Sequence, residues 1–271
     1  MSAPRISLCI STYNWPGALH LTLQSVLRQS VLPFEVLVAD DGSREETRRL
    51  VESFAKISPV PVVHIWQPDD GFRLAQIRNR AFAAAKGDYI VQVDGDLLLH
   101  PHFIADHGRM AAADTFVCGS RALLDQEWSK ALIEKGVLEY PAFGNPHLSK
   151  KHNALHSPLL CRFNYLFQRG FEQYKYVLGC NMAFWRSDLL KINGYNEDFV
   201  GWGKEDNDIT VRMMHAGVQL RFLKFGGIVY HLWHGYGALN SVPVNEEIFR
   251  KTLTNKLTYI EHGMRQYISA P

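Results

Sequence analysis

The sequence predicts an α/β fold, in which a mostly parallel, Rossmann-like sheet is flanked by helices and followed by an elaborated C-terminal half. Short apolar runs rich in β-branched residues alternate with segments of helical period over the first 120 residues. Acidic and hydroxyl side chains collect where these runs end. Hydrophobic residues make up 46% of the 271-residue chain, which is enough to fill the large core that such a fold requires.

Four strands are expected in this first part, at residues 5–12, 35–41, 62–66 and 88–93. A helix is expected after each of the first three, and this alternation predicts parallel strands. Asn14 is expected to cap the first helix, with Pro16 in its first turn. Ser43 followed by Glu46 predicts a capping box at the second helix, and Gly87 marks the end of the third.

The pattern weakens between residues 121 and 176 and then becomes regular again. There we expect a helix over 204–216, strands within 219–225 and 228–234, and an amphipathic helix within 244–262.

Charge and composition exclude several classes of partner. The formal net charge is +2 and no long run of like charge occurs, so we expect no nucleic acid partner. No run of about eighteen apolar residues occurs, so no segment is expected to span a bilayer. The apolar run near the amino terminus is too short for a signal peptide. The four cysteines are widely spaced without a CxxC pair, which favours reduced thiols and a cytoplasmic location.

Two pairs of aspartates follow predicted strands. Asp94 and Asp96 flank Gly95 in "VDGD", where carboxylate oxygens suit Mg²⁺ or Mn²⁺. A solvated Asp-Gly turn explains the same residues equally well. Asp40 and Asp41 end the second strand, where an acid can accept hydrogen bonds from a base or a ribose, or simply form a turn. No GxGxxG or GxxxxGK[ST] loop follows the first strand, which counts against dinucleotide and P-loop sites.

The segment "GWGKEDND" places Trp202 between two glycines, ahead of the carboxylates of Glu205, Asp206 and Asp208. An acid in the first turn of a helix gains about 0.3–1 kcal/mol from the helix dipole, so capping explains one of them. Capping does not explain the Gly-Trp-Gly that precedes them. Trp202 either offers a stacking surface to a ligand or occupies a core position. The carboxylates either include a catalytic base or only cap the helix.

Two segments resemble the opening of family 2 glycosyltransferases, nucleotide-sugar enzymes of the GT-A fold: "SLCISTYNWPGALHLTLQSVLRQ" and "FEVLVADDGS". Their middle segment, which ends in a metal-binding DxD motif, resembles "DDGFRLAQIRNRAFAAAKGDYIVQVDGD". The acceptor-side motif of galactosyltransferase-like members, including β-1,4-galactosyltransferases and chondroitin-polymerising enzymes, is similar to "GWGKEDND". The resemblance covers the first 120 residues nearly without interruption and is weak between 121 and 176.

The resemblance implies a GT-A fold and a single glycosyltransferase domain over residues 1–271. Residues 1–120 would form its nucleotide-sugar half, 121–242 its acceptor and catalytic half, and 243–271 a helical tail. It also implies a set of nucleotide-binding residues, with Asp41 on the uracil: Ser11, Thr12, Asp40, Asp41, Arg73, Arg78, Asn79 and Asp94. For the two arginines, a solvated helix face is the alternative.

The resemblance further implies that Asp206 is the catalytic base, that Glu205 positions the acceptor and that Trp202 offers it a stacking face. Related enzymes often have a third acid where this chain has Asn207, so the identity of the acceptor stays open.

A divalent ion, Mn²⁺ or Mg²⁺, is implied at Asp96 and one histidine, with Asp94 on ribose or metal. In related enzymes a histidine from the region of "YHLWH" completes the metal site. Spacing of three along a strand places His231 and His234 on opposite faces, so one of them is expected to face the metal, and we favour His231.

The implied reaction moves a sugar from a UDP-sugar to a hydroxyl of a glycan or lipid-linked glycan, in bacterial surface polysaccharide or lipopolysaccharide synthesis. One base opposite the leaving group implies inversion at the anomeric carbon. Two alternatives stay open: a sugar nucleotidyltransferase, which usually has a glycine-rich loop where this chain has "STYNWPG", and a catalytically silent nucleotide- or sugar-binding module.

The stretch 147–176 is basic and aromatic with few acids. We favour a surface insertion with solvated charges over a peripheral contact with the inner face of the cell membrane. Lys150, Lys151, Arg162 and Arg169 are the basic residues that the membrane alternative would use.

Overall fold

The computed structural model describes residues 3–164, 170–235 and 242–268. These ranges contain eleven strands, which are β1 Ile6–Thr12, β2 Glu35–Asp40, β3 Val62–Trp66, β4 Tyr89–Asp94, β5 Leu97–Leu99, β6 Thr115–Gly119, β7 Arg121–Leu124, β8 Leu148–Ser149, β9 Asn181–Trp185, β10 Gln219–Leu223 and β11 Val229–His231. They also contain nine α-helices, which are α1 Pro16–Leu27, α2 Glu45–Ile57, α3 Leu74–Ala84, α4 Phe103–Met110, α5 Gln126–Lys135, α6 Pro158–Asn164, α7 Arg186–Ile192, α8 Glu205–His215 and α9 Val242–Thr254. Short 3-10 helices lie at Lys151–Ala154, Phe171–Tyr176 and Met264–Tyr267.

Seven strands form the central sheet in the order β10-β6-β9-β4-β1-β2-β3. The pairs β1/β2, β1/β4, β2/β3 and β6/β10 are parallel, whereas β9 runs antiparallel between β4 and β6. The predicted α/β architecture with a mostly parallel sheet is therefore confirmed. Because β9 and β10 come from the second half of the chain, both halves share one sheet.

The two faces of the sheet bury different core layers. Leu8 and Ile10 of β1 join the layer that contains α1 and α2, while Cys9 joins the layer that contains α3 and α8. This follows from the alternation of side chains along a strand. Full burial of a leucine or isoleucine side chain such as that of Leu8 or Ile10 contributes about 1.5–3 kcal/mol. All four cysteines of the chain are free and buried.

A second sheet, in the order β5-β11-β7-β8, packs beside the first. In it β11 is antiparallel to β5, with His231 opposite Leu97, and parallel to β7. The backbone N–H of Leu232 donates to the carbonyl of Asp96 at 3.0 Å, which extends this pairing past the end of β11. The second sheet therefore carries the "YHLWH" segment to the "VDGD" turn.

Both predicted N-caps are wrong. Helices α1 and α2 begin after Trp15 and Arg44, and neither residue caps its helix through a side chain. Instead, the backbone N–H of Asn14 donates to Ser43 Oγ at 2.8 Å, and Asn14 Oδ1 accepts from the Arg44 N–H at 3.0 Å. The two loops bind each other, because hydroxyl and amide groups near helix starts can satisfy either local or neighbouring backbone groups.

The weakly patterned region contains a helix, α5, that was not predicted from the sequence. Asp125 accepts a hydrogen bond from the Trp128 N–H at 3.0 Å, and Gly136 ends α5 in the left-handed conformation at φ 63°. Both are standard capping signals. In the tail, α9 ends at Thr254, earlier than the predicted limit of residue 262. Among the described residues, no helix combines the length and the apolar character needed to cross a membrane.

Candidate active site

The carboxyl ends of β1, β2 and β4 meet at one edge of the central sheet. Ser11 pairs with Asp94 across β1 and β4, and Thr12 pairs with Asp40 across β1 and β2. Ligands of open α/β sheets bind at this kind of edge. The structure thus brings the predicted strand-end residues together.

Asp41 lies at this edge and is nearly buried. One of its oxygens accepts from Gln67 Nε2 at 2.6 Å and the other accepts from the Arg73 backbone N–H at 2.9 Å. Burial raises the pKa of Asp41 to about 6, while these two hydrogen bonds oppose the rise. A carboxylate with unused lone pairs at the end of β2 can still accept the N–H of a base.

Asp40, which is predicted to contact the nucleotide, lies in the protein interior. It is fully buried, its Oδ2 lies 2.9 Å from His64 Nε2 and its Oδ1 accepts from the Ser43 N–H at 2.8 Å. Because no part of Asp40 is exposed, its contacts stabilise the loop after β2, and its contact with a nucleotide stays a prediction.

Asn79 is likewise not brought to the nucleotide edge. It is fully buried and donates to the Tyr195 carbonyl at 2.7 Å and to Glu197 at 2.9 Å. Its carbonyl accepts the Tyr195 N–H at 2.8 Å, so both ends of the amide hold the loop after α7. Arg73 stays near the edge through its backbone, but its guanidinium pairs with Asp70 at 2.7 Å on the surface.

Arg78 lies at the centre of the site. It is almost fully buried, which excludes a solvated helix face, and it donates to Asp94 and to Asp206, each at 2.9 Å. Its Nε also lies 3.3 Å from Ser11 Oγ. A guanidinium whose two arms hold two carboxylates fixes their separation. Arg78 thus connects the strand-end acids to helix α8.

Besides Arg78, the Tyr195 hydroxyl and the space left by Gly179 determine the position of the Asp206 carboxylate. The Tyr195 hydroxyl donates to Asp206 Oδ1 at 2.9 Å, and Gln92 Nε2 lies 2.8 Å from that hydroxyl. A Cβ atom placed on Gly179 would lie only 1.7 Å from Asp206 Oδ2, so only glycine leaves room for this carboxylate. Burial raises the pKa of Asp206, and Arg78 acts against that rise. The result is an oriented carboxylate, 23% exposed, at the sheet edge.

The loop before α8 supports the neighbouring candidates. Glu205 is buried and accepts the Gly203 N–H at 3.1 Å, and burial next to Asp206 raises its pKa. Trp202 is 51% exposed, so the core alternative for this residue is wrong. Gly203, at φ 108°, has a backbone conformation that favours glycine.

The remaining polar residues of "KEDND" are structural. Asp208 is fully buried, pairs with Arg212 at 2.7 Å and accepts from Thr252 at 2.6 Å, which ties α8 to α9. The Asn207 amide donates to the Tyr174 carbonyl at 2.8 Å.

Asp96, His231 and His234 form a metal-type group, since one potential ligand atom from each lies within 4.8 Å of the other two. Within the described ranges, no other three His, Cys, Asp or Glu side chains meet this condition. Asp96 Oδ2 is 3.6 Å from His231 Nε2 and 3.3 Å from His234 Nε2. The expectation that the two histidines point to opposite faces is wrong, because β11 ends at His231 and His234 lies beyond the pleated strand.

The donor set of this group fits a divalent ion. Asp96 Oδ1 is buried without a hydrogen-bond partner, which leaves an oxygen free for a ligand. Burial raises the pKa of Asp96 and lowers that of His231 to about 3, so both side chains tend to be neutral without a nearby cation. One carboxylate with two imidazoles suits a divalent first-row transition metal such as Mn²⁺ better than it suits Mg²⁺, which prefers oxygen ligands.

Three residues that support Asp206 were not predicted from the sequence, namely Gln92, Tyr195 and Gly179, and Arg78 was predicted beside the nucleotide rather than between two carboxylates. Gln92 interrupts the apolar run of β4 with a polar side chain, which was a usable signal. Arg78 shares the helical face of Ala75 and Phe82, both buried, so its position in α3 also indicated burial. Tyr195 and Gly179 carry no comparable pattern, because their roles depend on chain segments far apart in sequence.

Parts of this chain match two protein families. Residues 7–189 match the family described as "Glycosyl transferase family 2", and residues 165–235 match "N-terminal domain of galactosyltransferase". The chain is 26% identical over 238 residues to a chondroitin synthase of Escherichia coli, covering 83% of this chain and 34% of that protein. It is 27% identical over 226 residues to a validoxylamine A glucosyltransferase of Streptomyces hygroscopicus subsp. limoneus, covering 80% of this chain and 49% of that protein. The chain thus spans half or less of the length of these relatives.

Two solved structures share the fold. A mannosyltransferase, PcManGT from Pyrobaculum calidifontis, in complex with GDP-Man and Mn²⁺, superposes with a TM-score of 0.59 at 17% identity, covering 94% of this chain and 64% of that one. TarS of S. aureus superposes with a TM-score of 0.64 at 14% identity, covering 97% of this chain and 41% of that one. The chain has the GT-A fold that the resemblance implied.

Proposed function

Because this chain belongs to glycosyl transferase family 2, we propose that it is an inverting, metal-dependent glycosyltransferase. Its donor is a UDP-sugar and its acceptor is a hydroxyl of a glycan or lipid-linked glycan in bacterial surface polysaccharide or lipopolysaccharide synthesis. The similar chondroitin synthase and validoxylamine A glucosyltransferase support transfer of a sugar. The buried Asp41 carboxylate at the end of β2 supports uracil as the base, since an ionised carboxylate can accept its N–H.

The observation that carries the proposal is the pair of carboxylates held by Arg78. One arm of Arg78 holds Asp94, which is two residues from Asp96 in the metal-type group, and the other arm holds Asp206. A donor whose diphosphate lies near Asp96 would therefore have a fixed carboxylate nearby to accept a proton. A module that only binds nucleotides has no need of a second carboxylate oriented in this way.

A divalent ion would be held by Asp96 and by His231 and His234. When bound, it would act as a Lewis acid that stabilises the negative charge of the departing diphosphate. The similar mannosyltransferase in complex with GDP-Man and Mn²⁺ supports such an ion. Mg²⁺ is the alternative, although two imidazoles favour Mn²⁺.

In the reaction, the acceptor oxygen forms a bond to the anomeric carbon while the bond from that carbon to the diphosphate oxygen breaks. The bonding electrons go to the diphosphate, and the acceptor proton goes to Asp206. Arg78 and Tyr195 orient the carboxylate and oppose its protonation before the acceptor arrives. General-base help of this kind is typically worth about 10²–10⁴-fold in rate. Attack from the side opposite the leaving group inverts the anomeric carbon.

The substitution Asp206→Asn tests this role. UDP-sugars are first screened by release of UDP, and the variant is then assayed with the donor found. We expect its rate to fall by about 10²–10⁴-fold while UDP and Mn²⁺ bind nearly as in the wild type. Glu134→Gln, which changes an exposed acid on α5, is the control. Wild-type transfer by Asp206→Asn would refute the base, and joint loss of transfer, UDP binding and metal binding would make Asp206 structural.

A specific observation also favours a peripheral membrane contact. Leu159, Leu160 and Phe163 of α6 are each about half exposed or more, at 66%, 49% and 52%. They lie beside Arg162 in a segment, residues 140–171, that contains no Asp or Glu. Apolar and basic side chains together suit the surface of an anionic membrane. Of the basic residues predicted to take part, Arg169 lies outside the described residues.

Sedimentation with anionic vesicles checks this contact. The wild type should bind in low salt and be released as salt rises, and the double change Leu159→Ser with Phe163→Ser should abolish binding without altering UDP binding. Equal binding of the wild type and this variant would refute the contact.

A further inference from the structure

Three cations lie together at one end of the second sheet. They are Arg121 at the start of β7, Lys150 after β8 and Lys224 after β10, and we refer to them as the basic cluster. Asn153 connects two of them, because its amide donates to the Arg121 carbonyl at 2.9 Å and its Oδ1 accepts from Lys224 Nζ at 3.1 Å. Burial lowers the pKa of Lys224, and the nearby charge of Lys150 lowers it further.

Within the described residues, no carboxylate forms an ion pair with Arg121, Lys150 or Lys224. Arg121 Nε is buried without a hydrogen-bond partner, and its Nη1 lies 3.8 Å from Cys180 Sγ, which is a weak acceptor. The segments outside the description contain no Asp or Glu at all. Arg78, by contrast, is neutralised by Asp94 and Asp206. A partly buried guanidinium without a counter-charge is costly, so a bound anion would stabilise it.

The basic cluster borders the metal-type group. Strand β7 pairs with β11, which places Arg121 opposite Val229 and two residues from the register of His231. Burial is the main cause of the low pKa of His231, and Arg121 and Lys150 lower it further. Arg121 also opposes the rise in the pKa of Asp96 that burial and Asp94 produce. Arg121 and Lys150 are therefore within electrostatic reach of the site at which we place the ion.

We propose that the basic cluster is a binding subsite for a diphosphate, namely that of the nucleotide donor and of the nucleoside diphosphate product. Arg121 supplies the paired donors that match phosphate oxygens, and the two lysines supply further positive charge. Three cations exceed what a single carboxylate needs, which favours a polyanion. The proposal rests on the proposed function, and it adds residues that hold the leaving group from the side of β7.

During transfer, negative charge grows on the diphosphate oxygen as its bond to the anomeric carbon breaks. Donors already aimed at that oxygen stabilise the charge without reorganisation. Arg121 would then make its strongest contacts with the separated product, so its removal should speed product release as well as slow bond breaking.

Calorimetry with three probes at a fixed Mg²⁺ concentration tests the subsite: uridine, UDP and inorganic pyrophosphate. For Arg121→Gln we expect affinity for UDP and pyrophosphate to fall by about ten- to a hundredfold, since hydrogen bonds to charged groups are strong. Uridine affinity should not change. Arg121→Lys should give an intermediate loss. Lys56→Gln, which removes an exposed cation of α2, is the control, and thermal unfolding checks that each variant is folded.

Unchanged binding of UDP and pyrophosphate by Arg121→Gln would overturn the subsite. Pyrophosphate binding that depends on Arg121, in a protein that does not bind uridine, would support the subsite and refute the nucleotide donor of the proposed function. Geranyl diphosphate distinguishes the source of the diphosphate. If UDP displaces geranyl diphosphate, the subsite binds the diphosphate of the nucleotide donor. If both bind at once and Arg121→Gln weakens only geranyl diphosphate, the subsite belongs to a lipid-linked acceptor, and its assignment to the donor is overturned.

Discussion

Replacing Gly179 with alanine should displace the carboxylate of Asp206. The new Cβ atom would lie 1.7 Å from Asp206 Oδ2 and 2.0 Å from its Cγ, whereas real Cβ contacts are essentially never shorter than 3.0 Å. The carboxylate must therefore move by roughly 1.3 Å if the backbone stays in place. Such a shift breaks the hydrogen bonds that Asp206 accepts from Arg78 and Tyr195, each at 2.9 Å.

The size of the effect on catalysis follows from this displacement. A misplacement of about 1 Å can cost about 10²-fold in rate, because the acceptor oxygen and the base no longer align. We expect kcat for sugar transfer to fall by at least about a hundredfold in Gly179→Ala. Overpacking of this kind should also lower the free energy of unfolding by about 1–3 kcal/mol.

Steady-state transfer and UDP binding should be measured together. UDP affinity should stay close to that of the wild type, because Gly179 contacts Asp206 rather than the strand-end residues of β1 and β2. Gly144→Ala is the matched control, since a Cβ atom there meets no other atom within 4 Å. A folded Gly179→Ala protein with the kcat of the wild type would show that the observed position of Asp206 is not required for the reaction.

Three further predictions concern protonation. Tyr195→Phe removes a hydrogen-bond donor to ionised Asp206, which raises the pKa of that carboxyl. The acid limb of the pH–rate profile should therefore move up by about one pH unit, and an unmoved limb would refute the contact. Uridine affinity should fall as the pH falls through about 6, where Asp41 takes up a proton, reaching about a tenfold loss one unit lower, and Asp41→Asn should remove this dependence. Burial lowers the pKa of His107 from 6.5 to about 4, so the unfolded state takes up a proton at a higher pH than the folded state does. The free energy of unfolding, measured with urea, should therefore fall by about 3 kcal/mol as the pH falls from 6.5 to 4. His107→Gln should flatten that slope, and an equal slope in the variant would assign it to other groups.

The core of the fold could be predicted because its strands are continuous apolar runs. Strands β1 to β4 lie within one residue of their predicted limits. Strands β1, β2 and β4 are buried on both faces, which leaves a continuous apolar pattern, and the edge strand β3 is also rich in β-branched residues. The antiparallel β9 and the second sheet could not be predicted in the same way. They pair segments far apart in sequence, such as Leu97 with His231, and no local pattern encodes that pairing.

The candidate site likewise contains residues that could be predicted from local sequence and residues that could not. Strand-end acids such as Asp94 were predictable, because the ends of parallel strands meet at one edge. The burial of Asp40 and Asn79 could not be predicted, because the sequence does not show which polar side chains are enclosed and bonded within the protein. His234 joins His231 at Asp96 because β11 is only three residues long, and the end of a strand is difficult to locate from sequence.

Binding of UDP by titration calorimetry, with and without Mn²⁺, in the wild type and in Asp96→Ala, tests the central claim most directly. Among the described residues, Asp96 Oδ1 has no hydrogen-bond partner to lose and Oδ2 contacts only the two histidines of the same group, so the substitution should leave the fold intact, which thermal unfolding checks. We predict that UDP binding requires Mn²⁺ and is lost in Asp96→Ala. UDP binding that is independent of the metal would contradict the metal site, and a wild type that binds no nucleotide would contradict the glycosyltransferase proposal as a whole.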